Sequence, residues 1–223
     1  MGEPANIDLD LLAHLEGFIT PERKERFLQV LSHRTRYLTV ALEDVYQLHN
    51  ASAVIRSCDV FGIQEAHLIE GRFGNRLDKK IAMGAQRWVD IHRHSHSRNC
   101  IQRLRERGYQ IIATTPRPDS TPLHAFTLDL PTALFFGTEK EGLSPEVLEE
   151  ADGALYIPMV GFTESLNISV AAAIILQELS TRLRHSGLPW RLTEDEMLAK
   201  RLEWTRKTIR AADEIIARYR SQS

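Results

Sequence analysis

The chain has 223 residues, of which 43% are hydrophobic and 26% are charged, a composition that excludes an intrinsically disordered chain. The net charge is −2, so charge alone does not indicate a general polyanion-binding protein. The longest apolar run, Val170 to Leu176, is far shorter than the roughly 20 residues that a membrane-spanning helix needs. Residues 1–10 lack the basic and apolar regions of a signal peptide. We therefore predict a cytoplasmic protein.

The chain contains two cysteines, Cys58 and Cys100, and neither lies in a CxxC motif or a Cys/His cluster. This pattern predicts reduced, buried thiols rather than a disulfide framework or a zinc site. The nine histidines also show no spacing typical of metal ligands. We therefore expect no metal.

Basic residues concentrate in the two terminal regions of the chain. Charge of this kind is typical of solvated helix faces, but it also allows contacts with a nucleic acid. Both interpretations stay open at this point. The residues are Arg23, Lys24, Arg26, Arg34 and Arg36 near the start, and Arg182, Arg184, Arg191, Lys200, Arg201, Arg206, Lys207, Arg210, Arg218 and Arg220 near the end.

The first predicted elements are two helices, one over residues 8–18 and one that begins after Thr20. The Thr20 hydroxyl can cap the free amides of the second helix, and Pro21 suits its first position. A short apolar run at residues 37–42 then predicts a strand that is buried on both faces.

Helices and strands alternate along the middle of the chain. Asn50 is expected to cap a helix that ends at Gly62, since glycine readily adopts the left-handed conformation. This alternation predicts an α/β fold with a parallel sheet flanked by helices. The predicted strands cover 66–69, 109–114, 132–136 and 154–158, and the predicted helices cover 50–61, 98–107, 144–150 and 166–184.

The last predicted helix runs from about residue 193 to residue 220 without a break. Apolar or small residues recur along it in steps of three and four, so one face should pack against the protein's own core or a second subunit. The stripe consists of Leu198, Leu202, Thr205, Ile209, Ala212, Ile216 and Tyr219.

The common nucleotide-binding motifs are absent from the sequence. No GxGxxG follows the first strand, which disfavours a dinucleotide-binding fold. The segment from Gly137 to Ser144 has the glycine spacing of a P-loop, but Leu143 occupies the position of the essential lysine. The sequence therefore does not predict a triphosphate site.

Three polar segments lie where predicted strands end, at the edge where open α/β sheets bind ligands. Asn50 and Arg56 form an N-x5-R pattern, residues 137–143 form GxExxGL, and residues 157–171 contain IPM followed by SLNxSxA. In this order, the three segments resemble the motifs of the SPOUT RNA methyltransferases of the TrmH type. The likeness covers roughly residues 38–183.

The resemblance implies a SPOUT-type parallel sheet with a C-terminal deep trefoil knot at about 134–184. It also implies a homodimer with the active site at the subunit interface and S-adenosylmethionine as the cofactor. The expected domains are an N-terminal helical extension (1–36), the methyltransferase domain (37–187) and a C-terminal helical extension (188–223).

The resemblance assigns site residues at nine positions. Arg56 is expected to assist deprotonation of a ribose 2′-hydroxyl, with Asn50 orienting it. A free guanidinium is a poor base. Either the site makes the Arg56 guanidinium much easier to deprotonate, or Arg56 holds a phosphate or the developing alkoxide. The implied catalytic residues are Arg56, Asn50, Glu139, Ser165 and Asn167, and those implied to hold the cofactor are Thr114, Gly137, Ile157 and Leu166.

The expected reaction is transfer of a methyl group to the ribose 2′-hydroxyl of a guanosine in the tRNA D-loop, at position 18. Methylation of a nucleotide in large-subunit rRNA is the alternative substrate. An RNA-binding protein without catalysis is a second alternative, disfavoured by the intact motif residues. A nucleotide-dependent oxidoreductase is disfavoured by the missing glycine fingerprint.

Overall fold

The computed structural model describes residues 8–45, 48–71, 84–117, 119–138 and 141–222. The chain divides into two compact units. One consists of Thr35–Trp190, and the other combines Met1–Arg34 with Arg191–Ser223.

The unit formed by Thr35–Trp190 contains a sheet of seven strands, and every neighbouring pair in it is parallel. In chain order the strands are β1 (Leu38–Glu43), β2 (Glu65–Ile69), β3 (Asp90–His94), β4 (Gln110–Thr114), β5 (Thr121–Pro122), β6 (Thr132–Phe136) and β7 (Gly153–Tyr156). Their order in the sheet is β3-β2-β1-β6-β4-β7-β5. The predicted α/β class with a parallel sheet is confirmed.

Helices cover both faces of this sheet. They are α3 (Leu48–Val60), α4 (Ser97–Glu106), α5 (Pro145–Glu150) and α6 (Ile168–Arg184), with short 3-10 helices at Ala85–Arg87 and Leu123–Ala125. Buried side chains of α3 and α6 share one apolar core, and those of α4 and α5 share another. The sheet is therefore the middle of three layers, which explains why all six residues of β1 are buried.

The strand predictions are confirmed within one or two residues, but two strands were missed. β3 reads Asp-Ile-His-Arg-His, and at the sheet edge it pairs only with β2, so it lacks the apolar run that marks a central strand. β5 has two residues, one of them Pro122. Proline cannot donate to a strand ladder and is therefore confined to edges.

The predicted cap of α3 is wrong. The helix begins at Leu48, so Asn50 lies inside its first turn, and its side-chain oxygen accepts a hydrogen bond from Asn167. The helix does end before Gly62, whose φ of 77° is the left-handed conformation that was expected there.

The second unit consists of four helices. The prediction of a single terminal helix from 193 to 220 is wrong, because two helices cover that range. They are α1 (Leu9–Glu16), α2 (Pro21–Leu31), α7 (Glu194–Thr208) and α8 (Ala212–Gln222). The break occurs at Ile209, whose backbone is extended. The predicted cap at Thr20 is confirmed, since its side chain accepts a hydrogen bond from the backbone N–H of Arg23.

The apolar stripe packs within this unit. Of the two predicted partners, the protein's own core and a second subunit, the structure shows the first. Ile216 forms a buried cluster with Leu11 and Leu15 of α1, joined by part-buried residues of α7 and α8. Trp204 is also buried, and its ring packs edge-on against Phe27 of α2. The stripe is therefore part of an internal core.

Several of the terminal basic residues are held by internal partners. The Glu16 carboxylate, which is buried, pairs with Arg201 of α7 and with Lys24 at 2.7 Å. The guanidinium of Arg34 lies 5.4 Å from the centre of the Trp204 ring. These residues stabilise the fold, and the exposed basic set is consequently smaller than the sequence indicates.

In the part of the chain that the structure describes, no helix is long and apolar enough to cross a membrane.

Candidate active site

A cavity of about 190 Å³ opens where β4, β6 and β7 end. Parallel strands present their carboxyl ends at one edge, which is where open α/β sheets bind ligands. All four residues that were predicted to hold the cofactor line this cavity, and Ser165 lines it as well. The structure thus brings together residues 114, 137, 157 and 166, which lie on three separate segments of the chain.

Gly137 lies in the tightest part of the cavity wall. A Cβ atom there would lie 2.1 Å from the carbonyl carbon of Gly142 and 2.3 Å from the nitrogen of Leu143. The loop closes by paired backbone hydrogen bonds of 3.1 and 3.0 Å between Thr138 and Gly142. Only glycine fits at position 137 while the two ends of the loop stay this close.

The cavity wall is mostly apolar. Phe136, Leu155, Ile157, Ile168 and Ile175 contribute to it. A flat apolar group is favoured by such walls, because main-chain groups at the strand ends can supply the polar contacts. The hydroxyl of Thr114 is already used, since it donates to the carbonyl of Phe135 at 2.7 Å.

The predicted catalytic residues are only partly assembled. Asn167 caps α6 by accepting from the backbone N–H of Ser169 at 2.9 Å. Its side-chain amide also donates to the Asn50 oxygen at 3.2 Å, which joins the first and third motifs. Glu139 lies outside the described residues, so its predicted role stays a prediction.

Arg56 lies apart from this group. Its side chain is exposed on α3. Arg56 is not among the residues that line the cavity, and the expected contact with Asn50 is not formed. Among residues 8–45, 48–71, 84–117, 119–138 and 141–222, Arg56 has no hydrogen-bond or ion-pair partner. It is therefore available to a group outside the folded chain.

Glu43 is a site residue that the sequence analysis missed. It is the last residue of β1 and is 5% exposed. Its carboxylate accepts from the backbone N–H and the hydroxyl of Ser144, both at 2.7 Å, and from the hydroxyl of Ser97. Ser144 caps α5 directly after the glycine loop. A carboxylate that ends an almost wholly apolar strand was the available signal.

The chain matches the SpoU rRNA Methylase family over residues 37–177, which is more than half of its 223 residues. It belongs to this family. The match spans the sheet, the cavity and all three motifs.

Relatives and solved structures agree with this assignment. The chain is 42% identical to the tRNA (guanosine(18)-2′-O)-methyltransferase of Borreliella burgdorferi over 88% of this chain and 90% of that protein. Its fold is similar to the TrmH/SpoU tRNA modifying enzyme of A. aeolicus, with a TM-score of 0.75 and 32% identity over 84% and 97% of the two chains. An AdoMet-bound rRNA methyltransferase from Sinorhizobium meliloti matches with a TM-score of 0.61 and 27% identity, over 70% and 60%.

Proposed function

We propose that this protein transfers a methyl group from S-adenosylmethionine to the ribose 2′-hydroxyl of a guanosine in tRNA, at position 18 of the D-loop. The observation that carries this proposal is the single cavity that joins Gly137, Ile157 and Leu166 from the second and third motifs. The name of the 42% identical Borreliella burgdorferi relative supports the substrate. A cytoplasmic location, where tRNA is modified, agrees with the proposal.

The residues present fit S-adenosylmethionine. The apolar walls, including Ile157 and Leu166, suit the adenine ring, and the tight turn at Gly137 lets backbone atoms approach a ligand closely. When bound, the cofactor supplies a methyl group attached to a positively charged sulfonium sulfur, and the rest of the cofactor is a neutral thioether leaving group. The task of the protein is to align the ribose oxygen with that methyl group and to stabilise charge.

We assign Arg56 to the ribose rather than to the cofactor. A guanidinium stays protonated in proteins and is a strong donor to anionic oxygens. The side chain of Arg56 is exposed in its own chain, so its guanidinium can reach an oxygen of the RNA. Arg56 therefore acts as a clamp on the developing alkoxide or on the adjacent phosphate, and the proton of the 2′-hydroxyl passes to water.

The active site is completed by a second subunit in this proposal. Arg56 does not line the cavity of its own chain, whereas apolar side chains are exposed beside that cavity. Phe162 and Val160 are fully exposed, and Val170 and Ile174, one turn apart on α6, are 46% and 40% exposed. Apolar patches of this kind mark protein interfaces, and a two-fold dimer would bring each Arg56 to the partner's cavity.

Subunit complementation tests the shared site. Arg56→Ala and Gly137→Val chains, carrying different tags, are co-expressed and their heterodimer is isolated. If Arg56 acts across the interface, one of the two sites is intact and methyl transfer is restored to a substantial fraction of the wild-type rate. An inactive heterodimer, formed from two inactive homodimers, would contradict the shared site. Leu166→Glu serves as the cavity-blocked partner if the glycine variant does not fold.

We also propose the trefoil knot at about 134–184 and the two helical extensions, 1–36 and 188–223. The guanidinium of Arg182 on α6 donates to the carbonyls of Leu123 and Phe126. These contacts tie the last helix of the sheet-bearing unit to the segment before β6. The exposed arginines of the terminal helices, such as Arg23 and Arg218, are proposed to contact the tRNA backbone, and this binding would weaken with salt.

Methyl transfer to defined RNA tests the function itself. The full chain is incubated with tritiated S-adenosylmethionine and an unmodified tRNA transcript, and the labelled nucleotide is mapped. We expect 2′-O-methylguanosine in the D-loop. A transcript with a 2′-deoxyguanosine at that position is the matched control and should accept no label.

The same assay decides between the two RNA substrates. The rRNA alternative is supported by the similarity to the rRNA methyltransferase from Sinorhizobium meliloti. Label that appears in large-subunit rRNA and not in tRNA would overturn the tRNA proposal while leaving the chemistry intact. Failure to label either RNA, with S-adenosylmethionine bound, would contradict both.

A further inference from the structure

Three potential metal ligands meet inside the sheet-bearing unit, on the α4 face of β2 and β3. The Nδ1 atom of His67 lies 3.0 Å from Nε2 of His94. One ligand atom each from His67, His94 and Cys100 lie within 4.8 Å of one another, and all three residues are buried. None of them lines the cofactor cavity, so this cluster is separate from the proposed active site.

The fold assembles the cluster from parts that are distant in sequence. His67 is in β2, whereas His94 ends β3 and is 27 residues away. Cys100 follows in the first turns of α4, which places its thiol over the sheet. No local spacing could have predicted this, which is why the sequence indicated no metal.

The Glu65 carboxylate lies next to His67, on the side away from His94. Oε1 of Glu65 lies 3.7 Å from Nε2 of His67, and that nitrogen is buried without a hydrogen-bond partner among the described residues. Glu65 is held in place by Arg36 at 2.5 Å and Arg107 at 2.9 Å. Histidines that bind metals commonly face a carboxylate through their second nitrogen, which orients the ring and fixes its tautomer.

We propose that His67, His94 and Cys100 form a binding site for a zinc-class divalent cation, with His67 Nδ1, His94 Nε2 and Cys100 Sγ as its ligands. Imidazole nitrogen and thiolate sulfur are preferred ligands of Zn²⁺, which favours four-fold coordination. Three protein ligands leave one position for water. The 8% exposure of His94 marks the side from which an ion enters.

Binding changes few bonds in the cluster. The contact between the two imidazoles is replaced by two nitrogen–metal bonds. The proton between them moves to the other nitrogen of the ring that carries it, which is Nε2 of His67 or Nδ1 of His94. The Cys100 thiol loses its proton to solvent as the sulfur–metal bond forms, so one proton leaves for each ion bound. The ion ties β2, β3 and α4 together.

Cobalt and the second cysteine make a sharp test, because a Co²⁺–thiolate bond gives a charge-transfer absorption in the near ultraviolet. The full chain is produced in medium supplemented with Co²⁺ so that the buried site can load during folding. We expect one Co²⁺ per chain with this absorption, and its loss on addition of Zn²⁺. Cys100→Ser should abolish the absorption. Cys58→Ser is the matched control, because Cys58 is buried in the other core, with α3 and α6, and should leave it unchanged.

Two further measurements guard against misfolding and weak surface binding. Circular dichroism must show that Cys100→Ser is folded, and His94→Gln should also lose the absorption. Zn²⁺ should raise the thermal midpoint of the wild type and of Cys58→Ser but not of Cys100→Ser. Wild-type protein that shows no thiolate absorption, or a Cys100→Ser variant that retains it, would overturn the proposal.

Discussion

The cofactor cavity and the histidine cluster are two regions of one sheet that are assembled in different ways. The cavity lies at strand ends, and its segments contain several functional residues in a row, as in Ser165, Leu166 and Asn167. The cluster takes single residues from β2, β3 and α4 and buries them. Loops at a sheet edge can therefore be recognised as motifs, whereas an interior site built from isolated positions is visible only in the fold.

The first prediction isolates catalysis from binding at the cavity. Arg56→Ala should lower the rate of methyl transfer by about 10²-fold or more, the range of effects for losing one donor to a developing oxyanion, with S-adenosylmethionine affinity unchanged. Arg56→Lys should not restore the rate, because an ammonium cannot reproduce the fork of guanidinium donors. Single-turnover rates and calorimetry measure the two quantities. A rate close to that of the wild type would remove Arg56 from the mechanism.

The second prediction tests how rigid the cavity wall is. Gly137→Ala should weaken S-adenosylmethionine binding by more than about tenfold, which corresponds to 1.4 kcal/mol, because the new Cβ would overlap the backbone at Gly142. Gly187→Ala is the matched control, since a Cβ there meets no atom within 4 Å. Equal affinities for the two variants would show that the loop yields easily.

The third prediction concerns Glu43, which connects the cavity loop to the interior. Glu43→Gln should lower the free energy of unfolding by about 1–3 kcal/mol, because an amide cannot accept all three hydrogen bonds and one buried donor loses its partner. Cofactor affinity should fall as well. The control is Glu70→Gln, which breaks a more exposed pair with Arg93 and should change stability by less than about 1 kcal/mol. Urea unfolding compares them, and indistinguishable variants would contradict the assignment.

The smallest expected effect lies in the helical unit. Burial alone would raise the pKa of Glu16, but Arg201 and Lys24 outweigh it and hold the pKa below its usual value. Because the folded pKa lies below the unfolded one, the stabilisation is present at neutral pH and is lost as the pH falls through both. The stability advantage of wild type over Glu16→Gln should therefore shrink toward acid pH. A constant difference between their thermal midpoints would argue against this.

Central strands and cavity segments could be predicted because their signals are local. β6 occupies Thr132–Phe136, as expected from its uninterrupted apolar run, and all four cofactor-binding candidates line one cavity. The edge strand β3 escaped prediction because its polar residues face partners that only the fold supplies. The break after Thr208 escaped it because the apolar stripe continues across it with the same spacing.

Tertiary context decided the remaining differences. Nothing in the local sequence distinguishes an asparagine that caps a helix from one inside its first turn, and Asn50 proved to be the second kind, bonded to Asn167. The exposure of Arg56 could not be predicted either, because its apolar neighbours Val54 and Ile55 face the core of α3 and α6 while Arg56 faces outward.

The strand order described above decides when a newly made chain can acquire its cofactor. β6 must insert between β1 and β4. β5 pairs only with β7, which is synthesised later. The lining of the cavity continues to Ile175 in α6. Non-local pairing of this kind is slow, and the cavity wall can be complete only after Ile175 has been synthesised. A chain that is cut before Ile175 would lack part of the cavity wall.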